Sequence, residues 1–411
     1  MHVNDQKIRL VRRERYLSRI RPHIGKPYIK ILTGIRRGGK SCILRLLAAE
    51  IQLKDPNSNI VFIDFESYSN VKIAHADDLY RYVSDSVKEG VNNVLMIDEI
   101  QEVDGWEKVV ASFNGEGIFD IYVTGSNSGL LSSEYSSHIS GRYVSFDILT
   151  LSFTECLEFR RAIGGDASED VVFDTMLRHG GFPVTWISGH SDNDSYSVIR
   201  DIYESIVLRD IVKKHKLRND TVLKRIVMFL CENIASPTSL NNMYTELVKE
   251  HGRIRKETVY KFSEYLEEAF VFRKSEEEGL KGKEILTPKY KFYLSDIGIK
   301  NALLGYRSND IQDHLENIVF LEMKSRGYDV TIGNINGKEV DLVCRKDGSR
   351  IYVQVVYRLS SDKTIEREFG NLRQINDGYP KYVVTMDPDW VSGDVDGIRY
   401  MHVREFLKID L

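Results

Sequence analysis

Cysteine is scarce: four in 411 residues, at positions 42, 156, 231 and 344, with no CxxC and no paired spacing. That pattern excludes a disulfide framework and a cysteine-based zinc site, and it fits free thiols in a reducing compartment. No run approaches the ~20 apolar residues of a membrane helix, and the charged first residues lack the apolar core of a signal peptide. The expectation is a soluble cytoplasmic protein with no membrane partner. Neither charge sign dominates: 57 Lys+Arg against 61 Asp+Glu leave −4, so no global field favours nucleic acid or an anionic surface. The charge is uneven, however. Residues 213–300 carry 18 Lys/Arg against 13 Asp/Glu, a local +5 that leaves −9 for everything else.

What is present is ordinary for a globular chain: 42% hydrophobic and 29% charged residues. The length suits roughly two to four domains, each burying its own core.

The most informative stretch is Tyr28–Ser41. A β-branched apolar run reaches Gly34, four spacers follow, and then come Gly39, Lys40 and Ser41. Glycines let backbone N–H groups converge on a phosphate chain, and the helix after them aims its positive dipole end at the same anion. In this phosphate-loop pattern Lys40 reaches the β/γ-phosphates and the Ser41 hydroxyl ligates Mg²⁺. The candidate contact set is Gly34, Ile35, Arg36, Arg37, Gly38, Gly39, Lys40, Ser41 and Cys42. Ile43, Leu46, Leu47 and Ile51 repeat at helical spacing beyond it.

From 28 to about 155, strands alternate with helices: Tyr28–Thr33, Asn59–Phe65, Val94–Ile97, Asp120–Thr124 and Tyr143–Leu149. Such alternation predicts a parallel, doubly wound α/β sheet with its ligand at the carboxyl ends of the strands. The third strand ends in Asp98–Glu99, 58 residues after Lys40. Asp98 is expected to hold Mg²⁺ and Glu99 to polarise the attacking water, which favours ATP hydrolysis over binding alone. Two readings stand for Ser126 and Asn127: hydrogen bonds to the γ-phosphate or lytic water, or plain turn chemistry. Arg142, in Ser140–Gly141–Arg142, reads equally as a phosphoryl-stabilising arginine or a structural one.

Gly34–Ser41, Asp98–Glu99–Ile100–Gln101 with Trp106, Thr124–Ser128 and Leu151–Glu155 together resemble the AAA+-type ATPases of bacteria and archaea. More narrowly, the chain is similar to a subgroup that continues into a winged helix and a restriction-endonuclease-like C-terminal domain. The resemblance implies the AAA+ sheet order, Mg-ATP as cofactor, Lys40 and Ser41 at the phosphates, Asp98 and Glu99 at metal and water, and Arg142 as arginine finger.

The expected organisation is an N-terminal helix (1–27) whose arginine face is solvated, an ATPase core (28–155), a helical lid (156–212), a winged helix-turn-helix (213–305) and an α+β domain (306–411). The lid contains Gly180–Gly181–Phe182–Pro183, which breaks its helices and is similar to a glycine–x–proline element placed near nucleotide in related signalling ATPases. In the winged-helix region, helices are expected at Val222–Asn233, Leu240–Glu250 and Lys256–Phe270, with wing strands Val271–Ser275 and Lys289–Leu294. Arg255, Lys256 and Lys261 favour DNA as a partner, but Glu264, Glu267 and Glu268 are expected on the same exposed side, and a spacer or protein-contact module fits as well. A homo-oligomer or a protein partner is equally compatible. Beyond 306, Asp341 with Glu316 or Glu322 matches part of a nuclease metal set. The acid and lysine slots on the next strand hold Gln354 and Val356, so the site reads as degenerate.

Overall fold

The computed structural model describes residues 10–411 apart from 71, 132–138, 140, 188–190, 218–219, 253 and 281–288, and apart from the side chains of 250 and 251. Ser140, Arg9 and the tip of the expected wing hairpin lie outside the described residues. The chain forms two compact units, Met1–Ile148 and Leu149–Leu411.

The first unit is built on β1 (Ile29–Thr33), β2 (Asn59–Asp64), β3 (Asn93–Asp98), β4 (Phe119–Gly125) and β5 (Tyr143–Asp147). They form one sheet of order β2-β3-β4-β1-β5, every pair parallel. Strands β1, β3 and β4 are buried along their whole length, which explains why the sequence shows near-continuous apolar runs there instead of alternation. The pleat divides those runs between two cores. Ile31, Leu95, Ile97 and Val123 face Trp106 and Phe113 of the helix Trp106–Glu116. Leu32, Val94, Met96 and Tyr122 face Leu44 and Leu47 of the helix Lys40–Lys54. Each aliphatic side chain so covered contributes about 1.5–3 kcal/mol relative to exposure.

The second unit opens with helices Phe153–Ala162, Glu169–His179, Pro183–Ile187 and Asp192–Ser205, the last running into a π-helical segment Ile206–Lys213. Ser152 and Glu155 start the first of these with a reciprocal capping box. Gly180 and Gly181 break the second, as expected. A Cβ on Gly181 would stand 2.3 Å from the Leu151 carbonyl oxygen, and one on Gly180 only 1.8 Å from Asp296 Oδ1. The closeness is what lets the buried Asp296 carboxylate accept from the Gly181 N–H at 2.7 Å and the Gly298 N–H at 2.9 Å.

Helices Thr221–Glu232, Leu240–His251 and Lys256–Glu268 follow within two residues of the expected bounds. The strands after them are β6 (Phe272–Gly279), β7 (Tyr290–Leu294), β8 (Asp329–Ile335), β9 (Lys338–Lys346), β10 (Ser349–Val356), β11 (Lys381–Thr385), β12 (Ser392–Val395) and β13 (Ile398–His402). They make a single mixed sheet of order β12-β13-β11-β10-β9-β8-β6-β7. The two strands expected to form a wing, β6 and β7, therefore extend the sheet of the following residues. Phe272–Glu276 of β6 pairs with β7, and Glu277–Gly279 continues onto β8 in parallel. The helix Ile311–Ser325 lies between β7 and β8 in sequence and buries ten of its residues, among them Glu316 and Glu322.

Candidate functional site

The carboxyl edge of the parallel sheet gathers the candidates. β1 ends at Thr33 and the chain turns at Gly34, whose φ is 141°. A Cβ there would sit 2.1 Å from the Ile148 carbonyl oxygen, so only glycine fits. Left-handed residues at Arg37 (φ 63°) and Gly39 (φ 103°) wind the loop before the 15-residue helix begins at Lys40. Alternating hands of this kind turn successive N–H groups to one side, and the helix dipole adds positive potential at the same place. Ile35 is fully buried beneath the loop, while Gly38 N–H closes the turn on its carbonyl at 3.1 Å. Arg36 is buried and paired with Glu66; Arg37 is exposed. Cys42 is half-buried in the first helical turn, where burial pushes its thiol up.

Arg13 corrects the expectation of a solvated N-terminal arginine face. It is 2% exposed and donates to the Gly38 carbonyl at 2.8 Å, so the helix Glu14–Ile20 is preceded by a residue that braces the loop.

Lys40 Nζ donates to the carbonyls of Gly34 at 3.0 Å and Ile35 at 3.2 Å, and lies 3.6 Å from Glu99 Oε1. The Ser41 hydroxyl lies beside the Asp98 carboxylate and favours its charged form. Thr124, at the end of β4, donates to Asp98 Oδ1 and accepts the Glu99 N–H at 3.0 Å. One hydroxyl thus fixes both acids. Glu99 itself has φ 56°, a left-handed conformation that costs a non-glycine residue about 1 kcal/mol or more and is typical of functional turns. The Gln101 amide donates to Glu99 Oε2 and to Ser126 Oγ.

The two acids differ electrostatically. Burial raises the Asp98 carboxyl, with Glu99 and Asp64 adding to the rise and the Thr124 and Ser41 hydroxyls opposing it. Burial also pushes Glu99 up, but the Lys40 ammonium, Gln101, Arg36 and Ser126 outweigh it and hold the group below its ordinary value. Asn127 is buried; its Oδ1 accepts from Gly129 N–H at 2.7 Å, and its Nδ2 has no hydrogen-bond partner among the described residues.

Arg142 is not brought to this edge. It is exposed and precedes β5, whose first residue Tyr143 pairs with Ile29 at the amino end of β1. Four residue steps along β1 separate that end from Thr33, about 13 Å, so Arg142 does not reach the loop of its own chain.

A Mg-nucleotide fits the residues that are brought together: a loop whose glycine cradle a Cβ would fill, a lysine, and a hydroxyl beside a carboxylate as hard oxygen donors for Mg²⁺. The unpartnered amide of Asn127 adds a donor at the same strand edge. Sequence reasoning missed Arg13 and Glu66, and it quoted Thr124 and Gln101 in motifs without giving them a supporting role. Of the C-terminal candidates, Glu316 and Asp341 come together around Lys291, whereas Glu322 is occupied by Arg326 at 2.7 Å. Gln354 Oε1 accepts the Asp341 N–H at 3.4 Å, and Val356 is buried.

Comparison with known proteins adds kinship. Residues 26–157 match the model of an AAA domain, and residues 171–310 match that of a domain family of unknown function. An uncharacterised protein of Haemophilus influenzae is 30% identical over 400 residues, covering 97% of this chain and 98% of its own. An uncharacterised protein of Methanocaldococcus jannaschii is 30% identical over 355 residues, 83% of this chain and 77% of that one. Among solved structures, a Walker-type ATPase of Pyrococcus abyssi is 15% identical, with a TM-score of 0.50 over 73% of this chain and 99% of that one, a likeness of fold. Among the described residues no helix is long and apolar enough to cross a membrane.

Proposed function

Because the chain belongs to one family with the uncharacterised Haemophilus influenzae protein and carries an AAA domain of the P-loop AAA+ type over residues 26–157, we propose that it hydrolyses ATP to ADP and phosphate in a Mg²⁺-dependent reaction. In this reading its nucleotide state governs the winged-helix region (213–305) and the degenerate nuclease-like region (306–411). The supporting observation is the convergence of Lys40 and Ser41 with Asp98 and Glu99 at one strand edge.

Each residue has a role that follows from its surroundings. The 34–41 amides and Lys40 bind the phosphate chain, the lysine trading its present carbonyl contacts for phosphate oxygens. Ser41 and Asp98 would hold Mg²⁺, which when bound would neutralise charge on the phosphate chain. Glu99 stays ionised beside Lys40, as a general base must, and takes a proton from the attacking water. Thr124 and Gln101 are positioning residues for Asp98 and Glu99. The Asn127 amide stabilises charge developing on the transferred group. If Arg142 contributes, it does so in a neighbouring copy.

Hydrogen–deuterium exchange on the whole chain tests the control element. With Mg-ATP held unhydrolysed by Glu99→Gln, exchange is expected to change within 213–411 relative to Mg-ADP. Identical exchange there in both states rejects nucleotide control while leaving the ATPase standing.

A second reading is a DNA-binding regulator with a slow ATPase switch. Arg255, Lys256 and Lys261 are exposed on or beside the helix Lys256–Glu268, within the +5 segment, though Glu257 and Glu264 are exposed there too. Retention on duplex DNA that falls steeply with salt supports it, and no retention at low salt rejects it.

A further inference from the structure

Residues 306–411 resemble a fold in which an aspartate and the acid of the next strand share a divalent cation. The residues of this chain do not fit one. Glu339 and Asp341, two apart on β9, face Glu316 from the helix Ile311–Ser325, and the space among the three is taken by a side chain from β7. Lys291 Nζ lies 2.7 Å from Glu339 Oε1, 2.8 Å from Glu316 Oε1 and 3.7 Å from Asp341 Oδ1. Tyr293, two residues further along β7, donates to the same Glu316 oxygen at 2.7 Å. The remaining Asp341 oxygen is engaged by the Val355 N–H at 2.8 Å.

We propose that Lys291 is the resident cation of this centre, occupying with its ammonium the place a divalent ion would otherwise take, so that the C-terminal sheet is a metal-free, non-cleaving module. The Lys291 side chain is 2% exposed and its β7 backbone is paired along β6. It cannot swing away without leaving the buried Glu316 and Asp341 carboxylates without their cation. A divalent ion bound to the same oxygens would lie within a few ångströms of a fixed positive charge, and that repulsion is weakly screened in a buried site. The geometry also gives the arrangement a purpose. Lys291 belongs to the edge strand β7, whereas its partners belong to the helix Ile311–Ser325 and to β9, so the ion cluster ties β7 to both. This inference concerns a different site from the nucleotide loop and stands or falls apart from it.

The test uses the full chain, without nucleotide and with Asp98→Asn so that the other acid edge is silent. Mn²⁺ is the probe, followed by electron paramagnetic resonance and by melting temperature. With Lys291 intact, adding Asp341→Asn is expected to change Mn²⁺ affinity less than twofold. Replacing Lys291 by Ala, or by Gln should Lys291→Ala fail to fold, is expected to tighten Mn²⁺ binding at least tenfold. Mn²⁺ is then expected to raise the melting temperature, and Asp341→Asn to abolish both effects. Mn²⁺ binding or Mg²⁺-dependent duplex cleavage in the Lys291-intact protein that Asp341→Asn removes would overturn the proposal. So would a folded Lys291 variant with no gain in Mn²⁺ affinity.

Discussion

Replacing Glu99 by glutamine separates binding from chemistry. The amide keeps the size of the side chain and can still accept from Gln101, so the turn at φ 56° should survive. What it loses is the carboxylate 3.6 Å from Lys40 that is proposed to accept the proton of the attacking water. A positioned general base is worth about 10²–10⁴ in rate, or roughly 3–5 kcal/mol of barrier. ATP affinity should hold or tighten, because one negative charge beside the triphosphate disappears and Lys40 is released from a competing partner. The assay pairs fluorescent-nucleotide titration with phosphate release at saturating Mg-ATP. The expected result is a dissociation constant equal to or below that of the unsubstituted protein, with turnover reduced at least about a hundredfold. Turnover within threefold of the parent would remove Glu99 from the mechanism. A tenfold loss of affinity would instead make it a structural support for the loop.

Gly34→Ala forces a Cβ to 2.1 Å from the Ile148 carbonyl at φ 141°, and should lower the melting temperature of the first unit and abolish nucleotide binding; retained affinity would contradict the loop geometry. Thr124→Val leaves the Glu99 N–H unsatisfied and Asp98 unanchored, costing about 1–3 kcal/mol in urea denaturation and slowing hydrolysis more than it weakens binding. The Glu267 carboxyl is pushed up to about 7 by burial, which Lys274 partly offsets and Glu264 and Glu276 reinforce. Its folded value lies above the ordinary ~4.3, so its stabilising contribution is complete at acid pH and is lost as pH rises to about 7, about 3 kcal/mol in all. Glu267→Gln should flatten the stability profile over that window, and an unchanged profile would refute the assignment.

Much of the nucleotide site was legible because its signals are local. Gly34, Gly39, Lys40 and Ser41 fall within one strand–turn–helix, and Asp98–Glu99 close an apolar run, so pattern alone placed them at strand ends. The supporting residues depend on which strands lie side by side. Thr124 reaches Asp98 only because β4 neighbours β3, and Arg13 reaches Gly38 across 25 residues of chain. Neither register nor tertiary reach is written in periodicity. Arg142 was partly legible, since a residue preceding a parallel strand lies at the amino edge, away from a ligand at the carboxyl edge. The Ser152–Glu155 capping box was readable from its S-x-x-E spacing. The joining of β6 to β8 was not, because a strand that changes partner midway looks in sequence like any other strand. Lys291 was hidden for the same reason: no spacing links position 291 to 316, 339 and 341.

The most direct test of the central claim, that the 34–41 loop and Asp98 bind one Mg-ATP, is calorimetric titration of ATP into the protein and into Lys40→Ala, each with and without Mg²⁺. The account predicts Mg²⁺-dependent binding near one ATP per chain that Lys40→Ala eliminates. Undiminished binding by Lys40→Ala, or binding indifferent to Mg²⁺, would contradict it.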